Sequence, residues 1–274
     1  MLSCTAPVVR AHGLAEALRL RAEHPDATVL AGGTDVMVFI ELDAIHPTLF
    51  LDLWPCTELR HVSGTRIGAL ATWTDVARCA DLPVALRECA RTVGAPQIQN
   101  RGTVGGNIVN ASPAGDSLPM WLALDAEFEL ASVRGSRRVA AADFWTAYRK
   151  TALAPDELLT AVHLPPLRGG LHYRKVGTRL AQAISKVSLG GRIVVEGGVV
   201  TDARVALGSV APIPVRARHV EAALIGRPVD PAAADAVVDD IAPIDDIRST
   251  AEYRQTVLCR LLYHALRGKC PGVS

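Results

Sequence analysis

The sequence predicts an α+β protein of more than one folding unit, with a larger N-terminal region and a smaller C-terminal one of strands followed by helices. Three observations carry this. At 274 residues and 49% hydrophobic content the chain exceeds one small core. Beyond residue 167, strand-like runs are followed by helix-like ones, the order of an α+β unit. A double proline, Pro165–Pro166, followed by "LRGG", punctuates the chain where the pattern changes. The expected units are residues 1–167 and 168–274.

Along the first region, "GLAEALRLRAEHPD" places Leu14, Leu18 and Leu20 among charges and reads as a half-buried helix ended by Pro25. "ATVLAGG" is a short strand stopped by a glycine pair, and "TDVMVFIELDA" is a helix with Thr34 or Asp35 near its N-cap. "TLFLDL" is a buried strand; "TRIGALATWTDVAR" is a strand leading to a helix capped near Thr74. The run "LPMWLALDA" is a helix with Asp116 or Ser117 as cap and Pro119 in its first turn. "AEFELASVRGSRRVAAADF" alternates about an Arg-Gly turn, a hairpin signal, and "DELLTAVHLPP" is a closing strand. Beyond the prolines, "YRKVG", "SKVSLGGRIVVEGGVV" and "ARVALGSV" are strands joined by glycine turns. Three helical stretches follow: "VRARHVEAALIG", "PAAADAVVDDIA" and "AEYRQTVLCRLLYHALRG". The last puts Val257, Leu258, Leu261, Leu262, Ala265 and Leu266 on one face, with Arg254, Arg260 and Arg267 off it.

Composition excludes several classes. A formal net charge of +1 gives no bulk electrostatic case for nucleic acid or an anionic membrane. No apolar run approaches a membrane span, and "MLSCTAPVVRAHG" has no apolar h-region, so the expected location is the cytoplasm. Cys4, Cys56, Cys79, Cys89, Cys259 and Cys270 form no CxxC, which argues against a disulfide framework or a clustered metal site.

Two places share a glycine pair followed by a polar residue and a helix: "VLAGGTDV" at Gly32–Gly33 and "TVGGNIVNASPAGD" at Gly105–Gly106. Each is either a plain turn or an anion nest, in which glycine takes φ > 0 and bare amides meet a phosphate. Thr34, Asn107 and Ser112 add neutral hydrogen-bonding groups. Neither loop is a GxGxxG fingerprint in a βαβ unit, and no GxxxxGK[ST] occurs, so Rossmann and P-loop sites are not supported.

These segments together resemble one family. "VLAGGTDVMV", "LDL…ELRHV…RIGALATWTDVA", "VGAPQIQNRGTVGGNIVNASPAGDSLP", "DELLTAVHLP" and "YRKVGTRLAQAISKVSLG" match, nearly end to end, the FAD-binding medium subunit of the molybdenum hydroxylases, the group of xanthine dehydrogenase and carbon monoxide dehydrogenase. The resemblance implies a PCMH-type FAD-binding domain of two α+β subdomains, divided near residue 57, and a C-terminal domain of the CO dehydrogenase flavoprotein type. It places Val29, Leu30, Ala31, Gly32, Gly33, Thr34, Asp35 and Val36, with Thr103, Val104, Gly105, Gly106 and Asn107, around the cofactor's pyrophosphate and ribose. Asn110, Ser112 and Asp116 match contacts to phosphate and sugar, Leu158 a backbone contact, and Lys175 a cofactor-contacting lysine. Asp116 also reads as a helix cap, Asp35 as a cap or a ribose partner, and Lys175 as a surface lysine. The chain departs from the family at Gln99, where arginine is usual, and at Trp54 and Val93.

The implied role is electron transfer from iron–sulfur clusters through FAD to NAD⁺, a quinone or dioxygen, with no general acid or base on this chain. The molybdenum cofactor is expected on a molybdopterin-binding large subunit and the 2Fe-2S clusters on a small subunit, in a dimer of heterotrimers. The loop "TRLAQAIS", with Arg179 and Gln182, is the expected place of acceptor control. A stand-alone flavin oxidase would instead need a base such as His163 or His172. A scaffold that had lost FAD would not need both glycine pairs.

Overall fold

The computed structural model describes residues 5–269, and Cys4 and Cys270 lie outside them. The first unit is a three-stranded parallel sheet. β1 (Val8–Arg10), α1 (Leu14–Glu23), β2 (Thr28–Leu30), α2 (Val36–Glu41) and β3 (Phe50–Asp52) follow in chain order, and the sheet order is β1-β3-β2. Strand β3 is central and wholly buried, which is why "TLFLDL" is apolar on both faces. β1 is absent from the sequence-based expectation, because three residues bearing a largely exposed pattern leave no periodicity to read.

The second unit begins with a 3₁₀ turn, Thr57–Arg60, and β4 (Arg66–Gly68). Five helices follow: α3 (Trp73–Arg78), α4 (Val84–Thr92), α5 (Pro96–Gln99), α6 (Val104–Asn110) and α7 (Leu118–Ala123). The hairpin β5 (Glu127–Ser132) and β6 (Gly135–Ala140) comes next. α8 (Ala141–Phe144), β7 (Trp145–Ala147), β8 (Lys150–Thr151) and β9 (Leu158–His163) complete the unit. All pairings in the sheet β4-β9-β5-β6 are antiparallel, so the closing strand lies inside it, between β4 and β5. Trp73, Trp121, Phe128 and Phe144 fill the core beneath this sheet.

The cap of α3 is Thr72, not Thr74. Its hydroxyl accepts from the Asp75 N–H while the Asp75 carboxylate accepts from the Thr72 N–H, a complete capping box two residues upstream of the expected one. The segment "TVGGNIVN" also differs from expectation. Thr103 caps α6, and Gly105 and Gly106 lie inside that helix rather than in a φ > 0 turn. Helix α4 escaped notice although Ala85, Leu86, Cys89 and Ala90 form a buried stripe at helical spacing.

The C-terminal unit is the antiparallel sheet β10 (Gly170–Val176), β11 (Val187–Glu196), β12 (Val199–Gly208) and β13 (Val215–Arg216). It is covered by α9 (Arg218–Leu224), a 3₁₀ segment (Pro231–Asp240) and α10 (Ala251–His264). Arg254 is the exception on α10: it is only 4% exposed, on the buried side rather than off the apolar face.

Asp125, just after α7, ties the second unit to this sheet. Its carboxylate accepts from Arg192 Nη2 at 2.8 Å, Arg204 Nε at 2.9 Å and Arg216 Nη1 at 3.4 Å, one arginine from each of β11, β12 and β13. Arg192 and Arg216 keep other carboxylates, and Asp125 is partly solvated. Asp125→Ala is therefore expected to cost about 1–2 kcal/mol, near the upper end for a screened ion-pair network. Thermal melting checks this, and an unchanged midpoint would remove Asp125 from the domain contact.

Candidate functional site: a cleft walled by all three units

The three units enclose one large cleft of about 920 Å³. Thr34, Asp35, Val38, Phe39 and Leu42 form the wall from the first unit. The second contributes Gly94, Ile98, Asn107, Asn110, the loop from Ser112 to Asp116, Tyr148 and Arg149. The third contributes Gln182, Ala183 and Ile184, together with Ser209, Asp246, Arg248 and Arg254.

The two glycine loops differ in what they offer. Between β2 and α2, no backbone or side-chain acceptor among the described residues meets the N–H groups of Gly32, Gly33, Thr34, Asp35 or Val36. Gly33 has φ +78°, and a Cβ on Gly32 would lie 1.9 Å from the Arg101 carbonyl oxygen. Glycine is thus required at both positions, for φ at one and for close approach at the other. The second loop has spent its amides. Val104 N–H donates to Ala71 O, Gly105 N–H to Ala69 O, Gly106 N–H to Thr103 Oγ1 and Asn107 N–H to Thr103 O. The nest expected at Gly105–Gly106 is therefore not formed there, because the helix start and its cap consume the donors. Among the described residues, amides without a partner recur just downstream, at Ser112, Ala114 and Asp116, which line the cleft.

Six of the residues expected to contact the cofactor line the cleft, Thr34, Asp35, Asn107, Asn110, Ser112 and Asp116, and so does Gln182 of the expected acceptor loop, whereas Arg179 does not. Asn107 Oδ1 accepts from Ser117 Oγ at 2.7 Å, so its amide is oriented from behind. Asn110 spans two units, donating from Nδ2 to Asp35 Oδ2 at 2.7 Å and accepting from Arg149 Nη1 at 3.2 Å. Burial pushes the Asp35 carboxyl up and Arg149 partly offsets this. Asp35 occupies the N-cap position of α2 without a side-chain capping bond.

The others stand behind this lining. Val29 and Leu30 belong to β2, Ala31 packs on the first core, and Val36 opens α2. Thr103, Val104, Gly105 and Gly106 build the start of α6. Leu158 is 4% exposed, in the core shared with β3. Lys175 is no surface lysine: its side chain is 9% exposed and its Nζ lies 2.6 Å from Asp116 Oδ2. Asp116 accordingly does not cap α7, whose N-cap is Ser117.

Sequence reasoning missed Arg149, at φ +54° in the β7–β8 turn, and the wall formed by Ser209 and the segment from Asp246 to Arg254. The positive φ at Arg149 had no glycine to announce it. Neither His163 nor His172 lines the cleft: His163 Nε2 lies 2.6 Å from Glu129 Oε2, and His172 sits in β10.

The cleft suits a dinucleotide. Its volume lies at the upper end of cofactor pockets, roughly 300–1,000 Å³. Unpartnered amides supply anion-binding groups without charge. Residues 3–167 match the family model "FAD binding domain in molybdopterin dehydrogenase", and residues 172–268 match "CO dehydrogenase flavoprotein C-terminal domain". The chain is 34% identical over 262 residues to the putative xanthine dehydrogenase FAD-binding subunit of Escherichia coli, covering 89% of each. It is 33% identical to the glyceraldehyde dehydrogenase medium chain of Sulfolobus acidocaldarius, covering 94% of this chain and 96% of the other. A chain of carbon monoxide dehydrogenase from Hydrogenophaga pseudoflava superposes with a TM-score of 0.92 at 28% identity, over 97% and 98% of the two chains. Shared architecture, shared motifs and near-complete coverage agree: this chain is an oxidoreductase flavoprotein of the molybdopterin-dehydrogenase FAD-subunit family.

Proposed function

We propose that the chain is the FAD-binding electron-transfer subunit of a molybdenum-containing hydroxylase, working beside a molybdopterin-binding large subunit and a 2Fe-2S small subunit in a dimer of heterotrimers. The observation that carries this is the cleft itself, which has free amides on two walls and neither histidine that a self-sufficient oxidase would have used as base. FAD, when bound, supplies the exchange of electrons between one- and two-electron partners.

The chain's own residues supply binding, orientation and burial. The free amides of Thr34 and Asp35 would hold pyrophosphate oxygens, and those of Ser112 and Ala114 would add donors from the second unit. Asn107 and Asn110 present amide groups whose orientation is fixed by Ser117, Asp35 and Arg149. Asp116 would accept from sugar hydroxyls, and Gln182, Ala183 and Ile184 would cover the third side. The organic substrate is hydroxylated on another chain, so its identity is not written in this cleft.

The isolated FAD-loaded chain is expected to hydroxylate nothing, and co-expression with its partner chains to restore turnover. Where the acceptor is NAD⁺, the isolated chain is reduced by NADH in stopped flow. Turnover of an organic substrate without any partner would overturn the subunit reading.

A further inference from the structure

A loop that keeps its amides free for a ligand has few bonds of its own to hold its shape. Among the described residues, the N–H groups from Gly32 to Val36 donate to no acceptor. The conformation of the β2–α2 loop therefore depends on what packs against it, and two neighbours do so. At its start, the Leu53 N–H donates to Leu30 O at 2.9 Å, which brings Trp54 alongside the end of β2. At Gly32, the hydrogen in the Cβ position points at the Arg101 carbonyl oxygen, since a Cβ there would lie 1.9 Å from it. A Cβ on the next residue, Gly102, would lie 3.4 Å from Thr34 Oγ1, so the contact continues along the loop. The Arg101 carbonyl accepts no hydrogen bond among the described residues, although the Gly102 N–H of the same peptide donates to Ile98 O at 2.6 Å.

The side chains of these two neighbours meet each other. The Arg101 guanidinium lies 3.7 Å from the centroid of the Trp54 ring, and the Arg60 guanidinium lies 4.1 Å from it. Arg60 Nη2 also donates to the Trp54 carbonyl, and the Trp54 N–H donates to Asp52 Oδ1 at 2.9 Å, so ring and backbone are fixed together. Arg101 is exposed, and among the described residues its guanidinium has no hydrogen bond or ion pair beyond this stack. Trp54, Arg60 and Arg101 are all absent from the lining of the cleft. We propose that Trp54 and Arg101 form an outer clasp that presets the β2–α2 loop for the pyrophosphate, with Arg60 holding the ring. All three are then positioning residues for a cofactor that none of them touches. The proposal rests on the FAD-binding reading of the cleft. Stacking on the indole restrains the Arg101 side chain and, with it, the carbonyl that meets Gly32. Without the stack the loop is less ordered before binding, and the ligand itself has to order the free amides, which weakens affinity.

A double-mutant cycle on the full chain separates a clasp from a direct effect of the Arg101 charge on the phosphates. FAD dissociation constants are measured by flavin fluorescence for wild type, Trp54→Ala, Arg101→Ala and the double variant, with circular dichroism to check that each is folded. Each single variant is expected to weaken FAD by about fivefold, the scale of one surface cation–π contact. The double variant should stay within about twofold of the weaker-binding single variant, because each residue acts only through the other. Trp54→Phe keeps an aromatic face for the guanidinium and should bind within about twofold of wild type. If the two single losses multiply, or if Arg101→Ala weakens FAD while Trp54→Ala does not, the guanidinium acts through its charge and the proposal fails. It fails equally if Trp54→Phe is as weak as Trp54→Ala. Should Trp54→Ala not fold, Arg101→Ala still decides, since wild-type affinity in that variant would overturn the clasp. Failure of wild type itself to bind FAD would instead remove the reading on which the proposal stands.

Discussion

Gly32→Ala should yield a folded chain that no longer retains FAD. The new Cβ would lie 1.9 Å from the Arg101 carbonyl oxygen and 2.6 Å from its carbon. Both are backbone atoms, so no side-chain rotation relieves the contact. The loop between β2 and α2 must move away from the segment before α6, at a cost of about 3 kcal/mol, the upper end of overpacking. That loop carries the free amides from Gly32 to Val36, so the displacement falls on the anion-binding groups. A loss of about 3 kcal/mol is more than a hundredfold in affinity. Gly106→Ala is the matched control: its Cβ meets only the Thr103 hydroxyl, at 2.9 Å, and its amide is already committed to that cap. Equal FAD retention by the two variants would contradict the assignment of the first loop as the anion site.

Arg254→Ala is expected to give the largest loss of stability. The guanidinium donates to Ser209 O and to Asp246 Oδ1, both at 2.7 Å, and more weakly to Lys186 O at 3.3 Å. Alanine leaves the Ser209 carbonyl in a buried site and Asp246 without its main partner, at a cost of about 3 kcal/mol. Arg248 still pairs with Asp246, which holds the loss to the lower end for a broken buried pair. Burial raises the Asp246 carboxyl, but the Arg248 and Ser249 N–H groups and Arg254 outweigh it, so its value lies below the ordinary 3.8. A depressed folded-state value means that this contribution is complete above about pH 4 and is lost as pH falls through the lower folded value. Urea titrations should therefore show a wide gap between wild type and variant at neutral pH, narrowing only below pH 3.8. A gap that does not narrow in acid would place the effect in packing rather than in the ion pair.

Much of the fold was legible because local patterns carried it. The strand, glycine pair and helix from Thr28 to Glu41 announced themselves by an apolar run, a breaker and a period change. The Arg-Gly hairpin and the strands-then-helices order of the last unit were equally local. Contacts distant in sequence were not. Nothing near Gly32 reveals that Arg101 lies against it. Gly105 and Gly106 look like a nest until Thr103 is seen to cap a helix whose first amides reach Ala69 and Ala71. Arg254 falls off the apolar stripe of its helix, yet two carbonyls and a carboxylate wait for it inside. The site was read in the same proportion. Thr34, Asp35, Asn107, Asn110, Ser112 and Asp116 were flagged by motif, whereas Arg149 and the Ser209 wall are brought to the cleft only by tertiary packing.

The most direct test is a titration of the folded, flavin-free chain with FAD, followed by flavin fluorescence and repeated with Gly32→Ala. Saturation at one FAD per chain in wild type, and a dissociation constant raised about a hundredfold or more in the variant, is the predicted result. A folded wild-type chain that shows no saturable binding, or a variant that saturates like wild type, would contradict the assignment of this cleft as the FAD site.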